Sequence, residues 1–134
     1  IEGLTVGYAQ DDNGLSGTSK YETEVMYAKY AFGSFTVGFT ESEREQSGAT
    51  AGDDEFSAHG ITYQVSDDLT IGYNASERQF GDKTADQESK AISVSYTSGG
   101  MTISAASVSM DNVGGSTSSR DDVDGYAIDI GFAF

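Results

Sequence analysis

The sequence predicts an all-β fold in which antiparallel strands form the wall of a transmembrane β-barrel. Three observations support this: apolar residues alternate with small or polar ones in eight segments, short turns alternate with long polar loops, and aromatic residues gather near the segment ends. Alternation with a period of two indicates a strand whose two faces meet different surroundings. The segments are about ten residues long, as a tilted membrane-spanning strand requires, whereas soluble strands average roughly 5–6 residues.

Eight strands follow from the alternation. In the third segment, Phe35, Val37 and Phe39 share one face, and Thr36 and Gly38 share the other. The remaining segments alternate in the same way, with two exceptions. The second is ambiguous and is oriented by placing Lys29 on the polar face, and the seventh is regular only in its first half. The predicted strands are residues 1–10, 21–32, 34–42, 55–65, 68–78, 89–98, 100–110 and 124–134.

The connections between the segments alternate between tight turns and long loops. Tight turns are predicted at Gly33-Ser34, Ser66-Asp67-Asp68 and Gly99-Gly100, because these residue types tolerate tight turn geometry. Short turns on one side and long loops on the other are typical of outer-membrane barrels. The predicted long loops are residues 11–20, 43–54, 79–88 and 111–123.

The aromatic residues divide into two groups along the predicted strands, and only Tyr27 falls clearly between them. Two aromatic belts with aliphatic residues between them match the two interfaces of a bilayer. A soluble sheet would instead favour large aromatics at strand centres. The group near the long loops is Tyr8, Tyr21, Phe39, Phe56, Tyr73, Phe80 and Tyr126. The group near the short turns is Tyr30, Phe32, Phe35, Tyr63, Tyr96, Phe132 and Phe134.

The chain is strongly acidic, with 22 Asp and Glu against 7 Lys and Arg and a formal charge of -15. This balance excludes a general nucleic-acid binder, since phosphate contacts need basic side chains. All but four of the 22 carboxylates fall on the long-loop side; the exceptions are Glu2, Asp67, Asp68 and Asp129. On a cell surface, divalent cations that bridge lipopolysaccharide phosphates would neutralise such loops.

An enzyme is not expected. The sequence has no cysteine and a single histidine, His59, and it lacks a G-x-S-x-G nucleophile motif. A catalytic role for His59 would require a serine and a carboxylate beside it, as in membrane-embedded lipid hydrolases. A lone histidine near a membrane interface is more often structural.

The second face of the strands is mostly Gly, Ser, Thr and Ala. A closed eight-stranded barrel has a narrow interior that side chains must fill. Few long side chains share this face, so the eight strands fit better as part of a wider, water-filled barrel.

The last segment carries a more specific pattern. Residues 125–134 resemble the C-terminal strand of Gram-negative outer-membrane proteins, in which alternating aromatic and aliphatic residues end in a phenylalanine that the barrel assembly machinery reads. The residues of this assembly signal are Tyr126, Ile128, Ile130, Phe132 and Phe134.

The chain as a whole resembles the C-terminal half of a general diffusion porin of the sixteen-stranded alphaproteobacterial type, in the strand–turn–strand texture of residues 27–37 and 60–71. The resemblance implies an outer-membrane homotrimer with a water-filled channel for ions and small hydrophilic solutes, in contact with lipid and lipopolysaccharide. In that family an acidic loop from the N-terminal half folds into the lumen opposite basic wall residues.

Four basic residues and one acidic residue are candidates for lining the pore. Lys29, Arg44, Arg78 and Asp129 share the inward parity of their segments, and Arg120 lies in a loop that could fold over the mouth. Positive groups there would bias ion passage. The alternative is that the arginines only pair with nearby carboxylates at the surface, which contributes little to stability.

Two acidic runs offer oxygen ligands of the kind that Ca²⁺ or Mg²⁺ prefers, although neither has the spacing of a known calcium loop. Solvated turns are the alternative, and no other cofactor is expected. The candidate ligands are Asp53, Asp54, Asp121, Asp122 and Asp124.

Two other functions stay open on the sequence alone. The eight strands could form a complete small outer-membrane barrel that acts as a surface or adhesion protein. The chain could also be a soluble acidic β-sheet domain that binds calcium or glycans.

Overall fold

A computed structural model describes residues 1–14, 20–47, 53–118 and 121–133. Eight antiparallel strands form one sheet, and each strand pairs with the next one in the chain, which confirms the all-β, antiparallel prediction. The strands are β1 (Leu4–Gly14), β2 (Lys20–Phe32), β3 (Phe35–Gln46), β4 (Asp54–Gln64), β5 (Leu69–Phe80), β6 (Gln87–Ser98), β7 (Met101–Asp111) and β8 (Val123–Phe132). A 3₁₀ turn covers Val113–Gly115. Among the described residues, no helix has the length and apolar character needed to cross a membrane.

Most strands extend further toward the long loops than the sequence predicts. β1 continues to Gly14 instead of residue 10, and β3 continues to Gln46 instead of residue 42. The pairing persists there because hydrogen bonding between strands does not depend on apolar side chains; Asp12, for example, lies opposite Glu22. Apolar alternation therefore marks only part of each strand. At the other end, β1 begins at Leu4, and the predicted end of β8 at Phe134 lies outside the described residues.

The tight turns have the backbone that their glycines permit. Gly33 has φ 55°, and Gly99 and Gly100 have φ 57° and 82°. Positive φ at the central residues matches the right-handed twist of the flanking strands, and glycine adopts it without a steric penalty. Phe32 lies directly opposite Phe35, so Gly33 and Ser34 form a two-residue turn between β2 and β3.

No hydrophobic side chain is buried anywhere in the described part of the chain. The accessible surface is 9284 Å², against about 6,700 Å² for a compact soluble protein of this mass. The described residues form a single layer of strands, with none of them packed over either face as a core. An apolar face left uncovered in this way is expected where the solvent is lipid.

The strand register separates the residues into two faces. Val37, Ile61, Tyr73 and Ile92 lie side by side on the first, here called the outer face. On the same face, four aromatic rings form a continuous stack at the short-turn end of β2–β4, with centroids 4.6–5.6 Å apart. The opposite surface, here called the inner face, contains mainly Gly, Ala, Ser and Thr. The stacked rings are Tyr30, Phe32, Phe35 and Tyr63.

The predicted aromatic belt near the long loops is only partly correct. Tyr8, Phe39, Tyr73 and Tyr126 lie on the outer face, since each is opposite an outer-face neighbour. The other three members lie on the inner face, because position along a strand fixes the level of a side chain but not its side of the sheet. The inner-face members are Tyr21, Phe56 and Phe80.

The sheet has two edges. In the described ranges β1 pairs only with β2, and β8 pairs only with β7. A spanning sheet in lipid has no water to satisfy the backbone groups of its edge strands. In a membrane these two edges therefore require further strands, or each other, as partners.

Candidate functional site

The predicted pore-lining cations share the inner face. Lys29 lies opposite Gly38, and Arg44 is six residues further along β3, which returns its side chain to the same face. Arg78 lies opposite Phe56, two residues from Asp54, the partner of Arg44.

Two other residues complete the predicted set. Asp129 lies on the same face, opposite Ser104. Arg120 is outside the described residues.

Arg44, Asp54 and Arg78 form one cluster across three neighbouring strands. Both guanidinium groups contact the same carboxylate oxygen, Asp54 Oδ2, and the Arg78 Nη2 distance is 2.9 Å. The Asp54 side chain is 15% exposed, whereas the arginine side chains are 45% and 44% exposed. One carboxylate cannot neutralise two guanidinium groups, so the cluster has a net charge of +1. The remaining N–H donors of the two arginines have no acceptor among the described residues.

Aromatic rings flank this cluster. The Arg44 guanidinium carbon lies 5.6 Å from the centroid of Tyr21, and that of Arg78 lies 4.8 Å from the centroid of Phe80. Both are cation–π distances, which hold each guanidinium in place. The cluster surrounds a cavity of about 290 Å³ whose other lining residues are Thr23, Ser42 and Phe56.

Lys29 lies apart from the arginines, in a larger and shallower depression of about 550 Å³. Its neighbours in the wall include Gly38, Gly60 and Asn74, so little bulk surrounds it. Within the described part of the chain no carboxylate lies within ion-pair distance of its ammonium group. A single unpaired cation on a surface of small side chains would act on a passing ion mainly through its charge.

The glutamates are sorted to the opposite face, a feature that the sequence-based predictions missed. Every glutamate of the described strands lies on the outer face beyond its apolar part, and we call these residues the glutamate collar. Desolvation, together with the charges of Glu45, Glu55, Glu24 and Glu41, raises the pKa of Glu43. The parity of these residues within their strands is the signal that would have found them. The collar consists of Glu22, Glu24, Glu41, Glu43, Glu45, Glu55, Glu77 and Glu88.

The candidate metal ligands near β4 already bind groups of the protein. Asp54 pairs with two arginines, and Asp53 accepts a hydrogen bond from the backbone N–H of Gln46 at 2.7 Å.

Two of the three candidate ligands near β8 are engaged in a similar way. Asp121 accepts from the Ser116 hydroxyl, and Asp122 accepts from the backbone N–H of Asn112 at 3.0 Å. Asp124 lies opposite Ser109 on the outer face. In the ranges that the structure describes, no three acidic or histidine side chains come together as a metal site.

His59 lies on the outer face, opposite Phe39 and Ala75. Ser57 shares that face two residues earlier, and Glu77 lies opposite Ser57. No side-chain hydrogen bond joins these three residues among those that the described ranges contain. Such a bond is the contact that a nucleophile makes with its base.

The predicted assembly signal forms one continuous apolar stripe on the last strand. Its four described members are 59–87% exposed on the outer face of β8, at the edge of the sheet. Phe134 is outside the described residues. The stripe consists of Tyr126, Ile128, Ile130 and Phe132.

No protein-family model and no curated protein matches the chain. One solved structure has a similar fold: OmpTdeltaL8, a loop L8 deletion mutant of OmpT, an outer membrane protein of Vibrio cholerae, with a TM-score of 0.61 and 18% identity. The similarity covers 98% of this chain and 50% of that one, so the chain spans about half the length of its structural neighbour. The chain thus has the fold of an outer-membrane protein, in agreement with the predicted location.

Proposed function

We propose that this chain forms part of the wall of a water-filled outer-membrane channel, a general diffusion porin, through which ions and small hydrophilic solutes pass. The observation that carries the proposal is the contrast between the two faces of one unburied sheet. The outer face is apolar and suited to lipid, and the inner face has small polar side chains with Lys29, Arg44 and Arg78 among them. Such a wall would contact lipid with its outer face and water with its inner face.

A wider barrel than eight strands is part of this proposal. The described sheet has two unpaired edges. Away from its long-loop end, the inner face consists mostly of Gly, Ala, Ser and Thr, which would leave a narrow interior poorly filled. The similar structure is about twice as long as this chain. A homotrimer, contact with lipid and lipopolysaccharide, and insertion by the barrel assembly machinery belong to the same proposal.

The size of the native polypeptide tests the barrel width. Outer membranes are run on denaturing gels with and without boiling, and the protein is detected with an antibody against this chain. A boiled band of roughly 30–40 kDa that migrates as a heat-sensitive trimer when unboiled supports a sixteen-stranded porin. A boiled band at 14.1 kDa means that the eight strands close on themselves, and the proposed channel then fails.

The mechanism is selection by pore width and wall charge, without a chemical step. A charge about 7 Å from an ion in water changes its energy by roughly 0.6 kcal/mol, a factor of about three in local concentration. Lys29 has such a charge on the inner face and no ion-pair partner among the described residues.

Replacement of Lys29 by glutamate tests this mechanism. The native protein is reconstituted in planar bilayers, and reversal potentials are measured in a salt gradient. Lys29→Glu is expected to raise the ratio of cation to anion permeability about threefold or more. His59→Gln, on the outer face, is the control and should leave the ratio unchanged. If Lys29→Glu leaves the reversal potential of a conducting channel where it was, Lys29 does not line the pore.

Arg78→Glu tests the neighbouring cluster in the same recordings. The change converts a net +1 cluster into one with a net charge of -1, so cation preference should also rise. Absence of any conductance from the wild-type protein at high protein density would contradict the channel itself.

A further inference from the structure

We infer that Arg44, Arg78 and Phe56 form a saturable binding site on the inner face for small organic anions that combine a carboxylate with an apolar group. The inference rests on the proposed function and deepens it, because it adds a specific solute class to a channel that otherwise selects only by size and charge.

The charge of the site favours an anion. Two guanidinium groups share Asp54 Oδ2, and both arginine side chains stay nearly half exposed. Asp54 is only 15% exposed and one of its oxygens contacts both arginines, so it offers little to a cationic ligand. The planar guanidinium group presents N–H donors in a geometry that suits a carboxylate.

The cluster is fixed before a ligand arrives. Asp54 restrains the two arginines on one side, and the Tyr21 and Phe80 rings lie against their guanidinium groups. Side chains that are already ordered lose less conformational freedom when they bind a ligand. This order separates the cluster from Lys29, whose ammonium group has no such contacts among the described residues.

The cavity adds an apolar surface next to the donors. It measures about 290 Å³, at the lower end of the roughly 300–1,000 Å³ of small-molecule sites. Phe56 lines it together with Thr23 and Ser42, and all three residues share the inner face. A ligand with a planar apolar body can therefore contact Phe56 while its carboxylate faces the arginines.

The position of the site gives it access to solutes. Arg44, Asp54 and Arg78 lie close to the long-loop ends of β3, β4 and β5, on the same face as Lys29. A solute that enters from the long-loop side would meet this cluster before it meets the shallower wall around Lys29.

Benzoate is a suitable probe because it has one carboxylate and one planar ring. Native protein in detergent is titrated with benzoate, and binding is followed by broadening of the benzoate proton signals in NMR spectra. We expect saturation with a dissociation constant on the order of 1 mM. Benzylamine, which has a similar shape and the opposite charge, should not show saturable binding.

Two arginine variants and one control identify the site. Arg78→Gln and Arg44→Gln should each raise the dissociation constant about tenfold, the low end for loss of a charged hydrogen-bond donor. Lys29→Gln removes a positive charge from the same face outside the cavity and should change it by less than about twofold. Arg78→Lys keeps the contact with Asp54 and should weaken binding less than Arg78→Gln does. This variant can still be measured if a glutamine variant fails to fold, as shown by loss of the heat-dependent gel shift of a folded barrel.

The benzoate experiments test the binding site, and the conductance recordings test the channel, so the two claims can fail separately. The inference is overturned if benzoate binding does not saturate, if the arginine variants bind benzoate as tightly as the wild type, or if benzylamine binds as tightly as benzoate. The cluster is then only a link between three strands. If the channel conducts but does not bind benzoate, the inference fails and the porin function stands. If benzoate binds at the arginines but no channel conducts, the proposed function fails instead.

Discussion

At the residue scale, parity within a strand decides what each charged side chain can do. Arg44 and Glu43 are neighbours in the chain, yet Arg44 faces Asp54 on the inner face and Glu43 faces Glu24 and Glu55 on the outer face. The arginines could be assigned to one face from the sequence because their parity was followed along each strand, whereas Lys29 was placed on the polar face to orient an ambiguous segment. The glutamates were interpreted only as an acidic edge, without their parity, so the collar was missed.

Glu43 should make stability depend on pH. Its pKa is raised by desolvation and by the neighbouring glutamates, so the folded state binds a proton more readily than the unfolded state does. The cost of the charged form is therefore present at neutral pH and disappears as the pH falls through the raised pKa. Like charges directly opposite one another destabilise a sheet.

Glu43→Gln is thus expected to stabilise the folded protein at pH 7. Glu43 is exposed, so solvent screening limits the gain to a few tenths of a kcal/mol. The gain should disappear once the pH lies below the pKa of Glu43. Urea unfolding of the native protein, followed by the heat-dependent gel shift at several pH values, measures it. Glu2→Gln, on the short-turn side away from the collar, is the control; an equal gain in both variants would show that net charge, not the collar, is responsible.

At the element scale, the sequence predicts the strands and turns well and the polar strand ends poorly. Periodicity of apolar residues found all eight strands because one face of each is apolar. The apolar pattern ends at residue 42 of β3 because none of Glu43, Glu45 and Gln46 is apolar. Backbone pairing nevertheless continues to Gln46. The Arg44–Asp54–Arg78 cluster could not be predicted for a related reason. It depends on register across three strands, which single-strand periodicity does not give.

The turn at Gly99-Gly100 should tolerate side chains poorly. Gly99 has φ 57°, and a Cβ added there would meet no other atom within 4 Å, so only backbone conformation opposes a side chain. Gly99→Ala should destabilise the β6–β7 hairpin by about 1 kcal/mol. Gly131→Ala is the matched control, because Gly131 also has open space and does not have a positive φ. Urea midpoints that fall equally in both variants would argue against a special turn conformation.

At the scale of the whole molecule, a single sheet without a core needs a different solvent on each face. Ile92 and Ser93 are neighbours on β6 that point to the outer and inner faces. Ile92 is 64% exposed, and in water a lysine at such a site would be harmless or would improve solubility. In lipid the same lysine is expensive, by about 2–4 kcal/mol near the middle of the bilayer.

Paired lysine substitutions therefore distinguish a membrane wall from a soluble sheet. Ile92→Lys should destabilise the protein folded in lipid vesicles by about 2–4 kcal/mol, whereas Ser93→Lys should cost much less. Ser93 lies opposite Gly72, which has no side chain to obstruct a lysine directed into water. Urea titrations in vesicles, read by tryptic protection, measure both variants. Equal stability of the two variants, or a wild-type protein that stays dissolved without detergent, would contradict a lipid-facing outer surface and with it the channel wall.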